Sequence, residues 1–189
     1  VKVIAGTLGG RKLKTLSSQQ TRPTAAKIRG AIFNTLGQYF PAETRTLDLF
    51  AGSGALAIEA ISRGSGGATM VDNNRLACNI IKENIQTLQI EEQVRVYCGS
   101  YTKYLASVDE TFDLIFIDPP YAMKIIASTL EQLITRGFVR RGGRIIIEVS
   151  TAIYEANDLQ FLTAYNVIFD RTYDTTRIII IEQIEGEKL

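Results

Sequence analysis

Asp118-Pro119-Pro120-Tyr121 follows the apolar run Phe112-Asp113-Leu114-Ile115-Phe116-Ile117, and its residue types suit one kind of chemistry. The run predicts a buried strand, because parallel strands covered on both faces read as near-continuous hydrophobic stretches. Two prolines fix φ and remove two backbone donors, so the strand stops there while their carbonyls stay free to accept. A carboxylate, a free carbonyl and an aromatic ring are the parts that hold a planar base carrying an amino group. Asp118 and the Pro119 carbonyl can accept its two N–H bonds, and Tyr121 offers a face for stacking. Taken alone, the same residues also describe a strand and a stiff turn.

A second motif narrows the chemistry. Thr46-Leu47-Asp48-Leu49-Phe50 is another strand-like run, followed by Ala51-Gly52-Ser53-Gly54 and then by Ala55 to Ile61, which is rich in helix formers. Strand, glycine turn and helix form the geometry in which backbone approaches a ligand closely at a helix N-terminus. Eighteen residues past Gly54, the short run Ala68-Thr69-Met70-Val71 ends in Asp72, where a carboxylate can hold ribose hydroxyls. Gly52 to Ala57 also fits the dinucleotide fingerprint. Against that rival stands Asp48 at the strand's end, because a carboxylate suits a ligand with a positive end better than a pyrophosphate.

These residues resemble the class I S-adenosylmethionine-dependent methyltransferases, with Leu47 to Gly54 as the methionine-side loop and Asp118 to Tyr121 as the amino-methylating motif. Ile4-Ala5-Gly6, Gly10-Arg11-Lys12-Leu13, and Thr21-Arg22-Pro23-Thr24 leading into Ile28 to Leu36 are similar to the bacterial 16S ribosomal RNA guanine-N2 methyltransferases. The resemblance covers nearly the whole chain, and the Arg-Pro-Thr segment with its helix discriminates best. It implies a catalytic set of Asp118, Pro119, Pro120 and Tyr121. The implied cofactor set is Asp48, Phe50, Gly52, Ser53, Gly54, Asp72, Asn73 and Ser100. Arg11, Lys12, Lys14, Arg22, Thr24 and Arg29 are the implied RNA contacts. Two positions depart from the pattern: Gly30 stands where relatives tend to carry an acid, and Ser100 where many put a carboxylate or amide facing adenine. An adenine-N6 DNA methyltransferase and a binding module with a vestigial cofactor pocket are the alternative readings. The first lacks the separate target-recognition region such enzymes usually add, and the intact motifs argue against the second.

Composition agrees. The chain of 189 residues lies within the single-domain range. It has no histidine and two cysteines, Cys78 and Cys98, so a conventional zinc site and histidine base catalysis are not expected. The cysteines are expected to form no disulfide framework and to suit a reducing compartment. No apolar run approaches a membrane span and no signal-peptide pattern opens the sequence, so a cytoplasmic location is expected. The net charge of +1 hides an asymmetry: residues 1–45 carry +7 and the remainder −6. A basic segment on an acidic body is an electrostatic footprint for nucleic acid, and the resemblance implies that this is ribosomal RNA, within a small-subunit particle.

The elements that must position these residues alternate along the chain. Residues 1–45 are expected to form a basic extension, with a glycine turn at Gly6, Gly9 and Gly10 between short strand-like pieces. Thr24 is the expected N-cap of a helix over Ala25 to Leu36, whose apolar stripe is Ile28, Ile32, Phe33 and Leu36. Residues 46–189 are expected to form the methyltransferase domain. Its further helices are read at Arg75 to Leu88 and Met123 to Arg136, and its further strands at Val94 to Cys98 and Arg144 to Val149. Tyr165 to Tyr173 and Arg177 to Ile184 read as an antiparallel pair. The alternation predicts an α/β, Rossmann-like sheet, mostly parallel with a C-terminal antiparallel pair, whose ligand lies at the carboxyl ends of its strands.

Overall fold

Five apolar runs pair in parallel and two more extend the sheet antiparallel in the computed structural model, which describes residues 1–16, 23–120, 125–154 and 156–184. In chain order the elements are α1 (Pro23–Leu36), β1 (Arg45–Asp48), α2 (Ala55–Ser62), β2 (Gly67–Asp72), α3 (Arg75–Leu88) and β3 (Val94–Cys98). They continue with α4 (Tyr101–Ser107), β4 (Phe112–Ile117), α5 (Ile126–Thr135), β5 (Val139–Ser150), β6 (Val167–Tyr173) and β7 (Thr176–Glu182). The strand order is β3-β2-β1-β4-β5-β7-β6, with β7 antiparallel to both neighbours. Connections run outward from β1 on one side and from β4 on the other, so the switch point lies between them.

Side chains alternate between the faces, as a period of two requires. Leu47, Ile115, Ile117, Ile145 and Ile147 face Ile126, Leu130 and Leu133 of α5. Leu114, Phe116, Ile146, Ile178 and Ile180 face the other way, onto Ile28, Ile32, Phe33 and Leu36 of α1. The expected stripe of α1 is thus its core face. The helix starts at Pro23, which suits a first position whose N–H has no partner, so Thr24 lies inside the first turn. At the other end the Leu36 carbonyl accepts from Arg144 at 3.1 Å, and Arg144 pairs with Glu182 at 3.0 Å.

The basic N-terminal pieces fold back as an antiparallel arm, bridged at Lys2 and Lys12, with φ of +80° at Gly6 and +82° at Gly10. Gly6 is required by contact as well: a Cβ there would lie 1.8 Å from the Ser62 carbonyl oxygen. The arm docks on α2. Ile4 and Ala5 donate their amides to Glu59 at 2.7 and 3.1 Å, and Leu8 donates to the Ser62 hydroxyl at 2.9 Å. Glu59 is fully buried and also holds Arg63 at 2.8 Å. The Arg63 guanidinium in turn lies over the Phe33 ring of α1.

Several boundaries differ from expectation. β5 begins at Val139, not Arg144, because Gly142 and Gly143 lie inside the strand at an irregularity in its pairing with β4. α5 is seen from Ile126, the residues before it from 121 to 124 being outside those described. The sequence reading missed α4 and a 3-10 helix, Ala156–Ala164. Cys78 and Cys98 form a disulfide, with Cα atoms 5.9 Å apart, contrary to the expectation that the two cysteines form no disulfide framework. The pairing arises because α3 packs on β2 and β3, which brings a helix position beside a strand end. No helix among the described residues is long and apolar enough to cross a membrane.

Candidate active site

The carboxyl ends of β1, β2, β4 and β5 gather the candidate residues at the switch point. Asp48 closes β1 with 1% of its surface exposed, and accepts from the Phe50 amide at 3.4 Å. Burial pushes its carboxyl up to about 7 against that bond, and the charge of Asp72 adds to the rise. A carboxylate held there gains from a cationic partner.

The glycine loop is strung between strand ends. Leu49 donates its amide to the Phe116 carbonyl at 3.1 Å and Ala51 to the Val71 carbonyl at 3.0 Å. Gly52, at φ +56°, donates to Asp72 Oδ2 at 2.8 Å, and Asn74 donates to Asp72 Oδ1 at 2.8 Å. Both Asp72 oxygens are thus fixed by backbone donors, with lone pairs left for hydroxyl groups. Gly54, at φ +81°, packs so tightly that a Cβ would lie 2.9 Å from Met70 Sδ. Asn84 of α3 donates to the Ser53 carbonyl at 3.0 Å, and the same side chain accepts from the Lys14 amide at 2.8 Å. Loop and basic arm therefore share one buried amide.

Asn73 is exposed between Asp72 and Asn74, the N-cap of α3. Gly99 donates to the Asp72 carbonyl at 2.9 Å, which sets Ser100 beside the loop. The Ser100 hydroxyl caps α4, accepting from the Lys103 amide, so its side chain has a structural task there. The Phe50 and Tyr101 rings meet with centroids 5.1 Å apart, both part-buried. The residue set fits the cofactor that the resemblance implies: Asp48 for a positive end, Asp72 accepting from ribose hydroxyls, and apolar rings for a flat base.

Asp118 and Glu148 come one residue after the registered pair Ile117 and Ile147 on β4 and β5. By alternation Glu148, within β5, faces the side of Ile146 and Ile178, the side that α1 covers. Burial raises the Asp118 carboxyl well above the usual range, and the charges of Glu148 and Asp48 add to it. Burial likewise pushes Glu148 up to about 7. No Lys or Arg among the described residues forms an ion pair with Asp48, Asp118 or Glu148. Pro119 is buried and Pro120 exposed, while Tyr121 lies outside the described residues. No His, Cys, Asp and Glu grouping suited to a metal occurs among the described residues.

The expected RNA contacts divide. Arg11, Lys12 and Lys14 are exposed on the arm, Arg11 bonding the Thr87 carbonyl at 3.3 Å and Lys14 pairing with Glu83 at 2.6 Å. Arg22 and the Thr24 side chain lie outside what is described. Arg29 does not fit the expectation: it is 6% exposed, donates to the Lys2 carbonyl and lies 3.7 Å from Glu59. It secures the arm from beneath. Sequence reasoning missed Glu148, Tyr101, Asn84 and the anchoring of the arm by Glu59. For Glu148 a signal existed, as the one acid in an apolar run ending at the same sheet edge as Asp48 and Asp118.

Comparison with known proteins identifies the family and the fold. Residues 1–181 match the family model described as "Conserved hypothetical protein 95". A Bacillus subtilis (strain 168) protein, provisionally named rRNA methyltransferase YlbH, is 38% identical over 151 residues, covering 78% of this chain and 82% of that protein. The ribosomal RNA small subunit methyltransferase D of Haemophilus influenzae is 33% identical over 151 residues, 78% of each chain. Among solved structures, the Escherichia coli protein yhhF, itself provisionally assigned as a methyltransferase, superposes with a TM-score of 0.82 at 26% identity. That match covers 98% of this chain and 99% of that one. A class I methyltransferase sheet, a glycine loop between two strand-end acids, and these matches place the chain in the conserved hypothetical protein 95 family, that of the small-subunit ribosomal RNA methyltransferases D.

Proposed function

We propose that this protein methylates the exocyclic N2 of a guanine in small-subunit ribosomal RNA, with S-adenosylmethionine as the methyl donor. The observation that supports the reading is the junction of β4 with Pro119-Pro120 at the switch point, where the Asp118 and Asp48 carboxylates lie close to one another. The ribosomal RNA relatives supply the substrate class.

When bound, S-adenosylmethionine supplies a methyl group on a positively charged sulfur. Asp48 and the glycine loop would hold its methionine side and Asp72 its ribose. The guanine N2 lone pair is delocalised into the ring and is a weak nucleophile. Asp118 and the Pro119 carbonyl accept the two N2–H bonds, which favours a pyramidal nitrogen with its lone pair available. Fixed acceptors at that nitrogen need no reorganisation as positive charge develops, so positioning and electrostatics account for most of the acceleration. The methylated nitrogen is strongly acidic while it carries the positive charge, and Asp118 or water takes its proton. Tyr121 stacks on the base.

Residues 1–45 are the RNA-binding extension in this reading, with Arg11, Lys12 and Lys14 as its exposed charges and the assembled small-subunit particle as the target. Incubation of labelled S-adenosylmethionine with ribosomal RNA, free and in small-subunit particles, followed by nucleoside analysis, tests it. N2-methylguanosine is the expected product. N6-methyladenine, or no transfer to either form of RNA, overturns the proposal.

A further inference from the structure

Guanine presents three donors along one edge, N1–H and the two N2–H groups, whereas Asp118 and the Pro119 carbonyl provide acceptors for only two. The third donor needs an acceptor in the plane of the ring, beside Asp118. The acidic side chain next to Asp118 is Glu148. It follows Ile147, whose registered partner on β4 is Ile117, and Asp118 follows Ile117, so the two carboxyls come next after one registered pair and lie close enough for the charge of Glu148 to act on Asp118.

Its surroundings among the described residues give no structural reason for a carboxylate. Across the antiparallel pair its partner is Ile178, which is fully buried, and Ile146 and Ile180 flank it on the same face. Among the described residues no hydrogen-bond donor or cation meets it. A part-buried carboxylate in such surroundings is costly, and such groups are retained where a ligand supplies the missing donors. Burial raises both carboxyls, and the charge of Glu148 adds to the rise at Asp118, so the two hold protons more tightly than free carboxyls. A ligand edge made wholly of N–H groups reverses that preference, favouring the ionised form.

We propose that Glu148 reads the target base, accepting the guanine N1–H while Asp118 and the Pro119 carbonyl hold the two N2–H groups. This rests on the guanine-N2 reading and deepens it, because it explains a choice of base that the proline motif alone leaves open. Adenine carries a lone pair at N1, which an ionised Glu148 repels. The positive sulfur centre and three N–H donors would then face Asp48, Asp118 and Glu148, leaving none of the three carboxylates unanswered.

The test uses the full-length protein and the ribosomal RNA fragment it methylates, with guanine or 2-aminopurine at the target position. 2-Aminopurine keeps the exocyclic 2-amine but has an acceptor at N1. The parent protein should methylate guanine about 10–10²-fold faster in kcat/KM, the usual worth of one well-placed polar contact to a base. Glu148→Gln, whose amide can donate to an N1 lone pair, should shrink that ratio at least about fivefold by slowing guanine and favouring 2-aminopurine. Fluorescence of the 2-aminopurine base reports its capture without chemistry, so a variant too slow to time is still read: capture should tighten in Glu148→Gln. Cofactor affinity by calorimetry should match the parent. An unchanged guanine to 2-aminopurine ratio, or unchanged capture, overturns the assignment of Glu148 while leaving the guanine-N2 reaction standing. A parent product other than N2-methylguanosine removes both.

Discussion

Asp48→Asn separates what Asp48 does for the ligand from what it costs the fold. The side chain is 1% exposed, and its carboxyl rises from 3.8 to about 7. A rise of that size corresponds to about 4 kcal/mol between the protonated and ionised forms. The sign follows from linkage. The folded protein binds the proton more tightly than the unfolded chain, so this group's contribution to stability is fully present below about pH 4. It is lost as pH climbs through about 7. Asparagine keeps an oxygen for the Phe50 amide but never ionises. The ligand-free variant should therefore match the parent near pH 4.5 and exceed it at pH 8, by about 1–4 kcal/mol once relaxation of the site is allowed for. Urea unfolding of both proteins at the two pH values measures this directly, and calorimetry at pH 8 should show S-adenosylmethionine affinity falling at least about tenfold, the worth of one charged interaction. Equal stabilities at pH 8 would refute the claim that Asp48 holds an unfavourable charge ready for a cationic ligand.

Asp118→Ala should lower single-turnover methylation about 10²–10⁴-fold with cofactor affinity nearly intact, since its proposed bonds go to the target amine; an unchanged rate at saturating RNA contradicts that role. Replacing Arg11, Lys12 and Lys14 together with alanine should weaken RNA binding. The log–log salt slope should flatten by about 0.7–0.9 for each phosphate no longer neutralised, and identical affinity and slope would show the arm to be plain solvated surface. Glu59→Ala strands Arg63 and two arm amides, so chemical denaturation should report a destabilisation of about 3–5 kcal/mol; a value below about 1 kcal/mol would mean the arm is not held through this carboxylate.

Where buried periodicity and capping agree, the sequence is enough to place an element to the residue. α3 is such a case: Asn74 caps its start, Gln89 turns left-handed after its end, and its apolar residues recur at helical spacing. β3 and β4 were equally legible as short apolar runs bounded by polar residues. β5 is longer than the expected Arg144 to Val149 because Gly142 and Gly143, poor strand formers on their own, continue it next to an irregularity in its pairing with β4. α4 has seven residues and opens on Ser100, which the resemblance had directed toward the cofactor. At the site, Asp48, Asp72 and Asp118 announce themselves at the ends of apolar runs. Glu59 sits among strong helix formers like any exposed helical acid, and its burial depends on the arm folding across it. Arg29 misled for the same reason, a basic residue in a basic segment being drawn inward by a partner thirty positions away. The Cys78–Cys98 bond needed the packing of α3 on the sheet before it could be seen.

The docking of the basic arm bears on how recognition could be transplanted among relatives. Its amides end on Glu59 and Ser62 of α2, and its Lys14 backbone ends on Asn84 of α3. Asn84 simultaneously grips the carbonyl of Ser53 inside the glycine loop. A chimera that exchanges only the first residues would carry a new arm onto a foreign socket, exposing a buried acid and releasing the loop that it helps to hold. The exchangeable unit is discontinuous: the arm, Arg29, Glu59, Ser62, Arg63 and Asn84 travel together. If the arm reads RNA as proposed, its specificity is inherited with part of the glycine-loop scaffold, and drift in one constrains drift in the other.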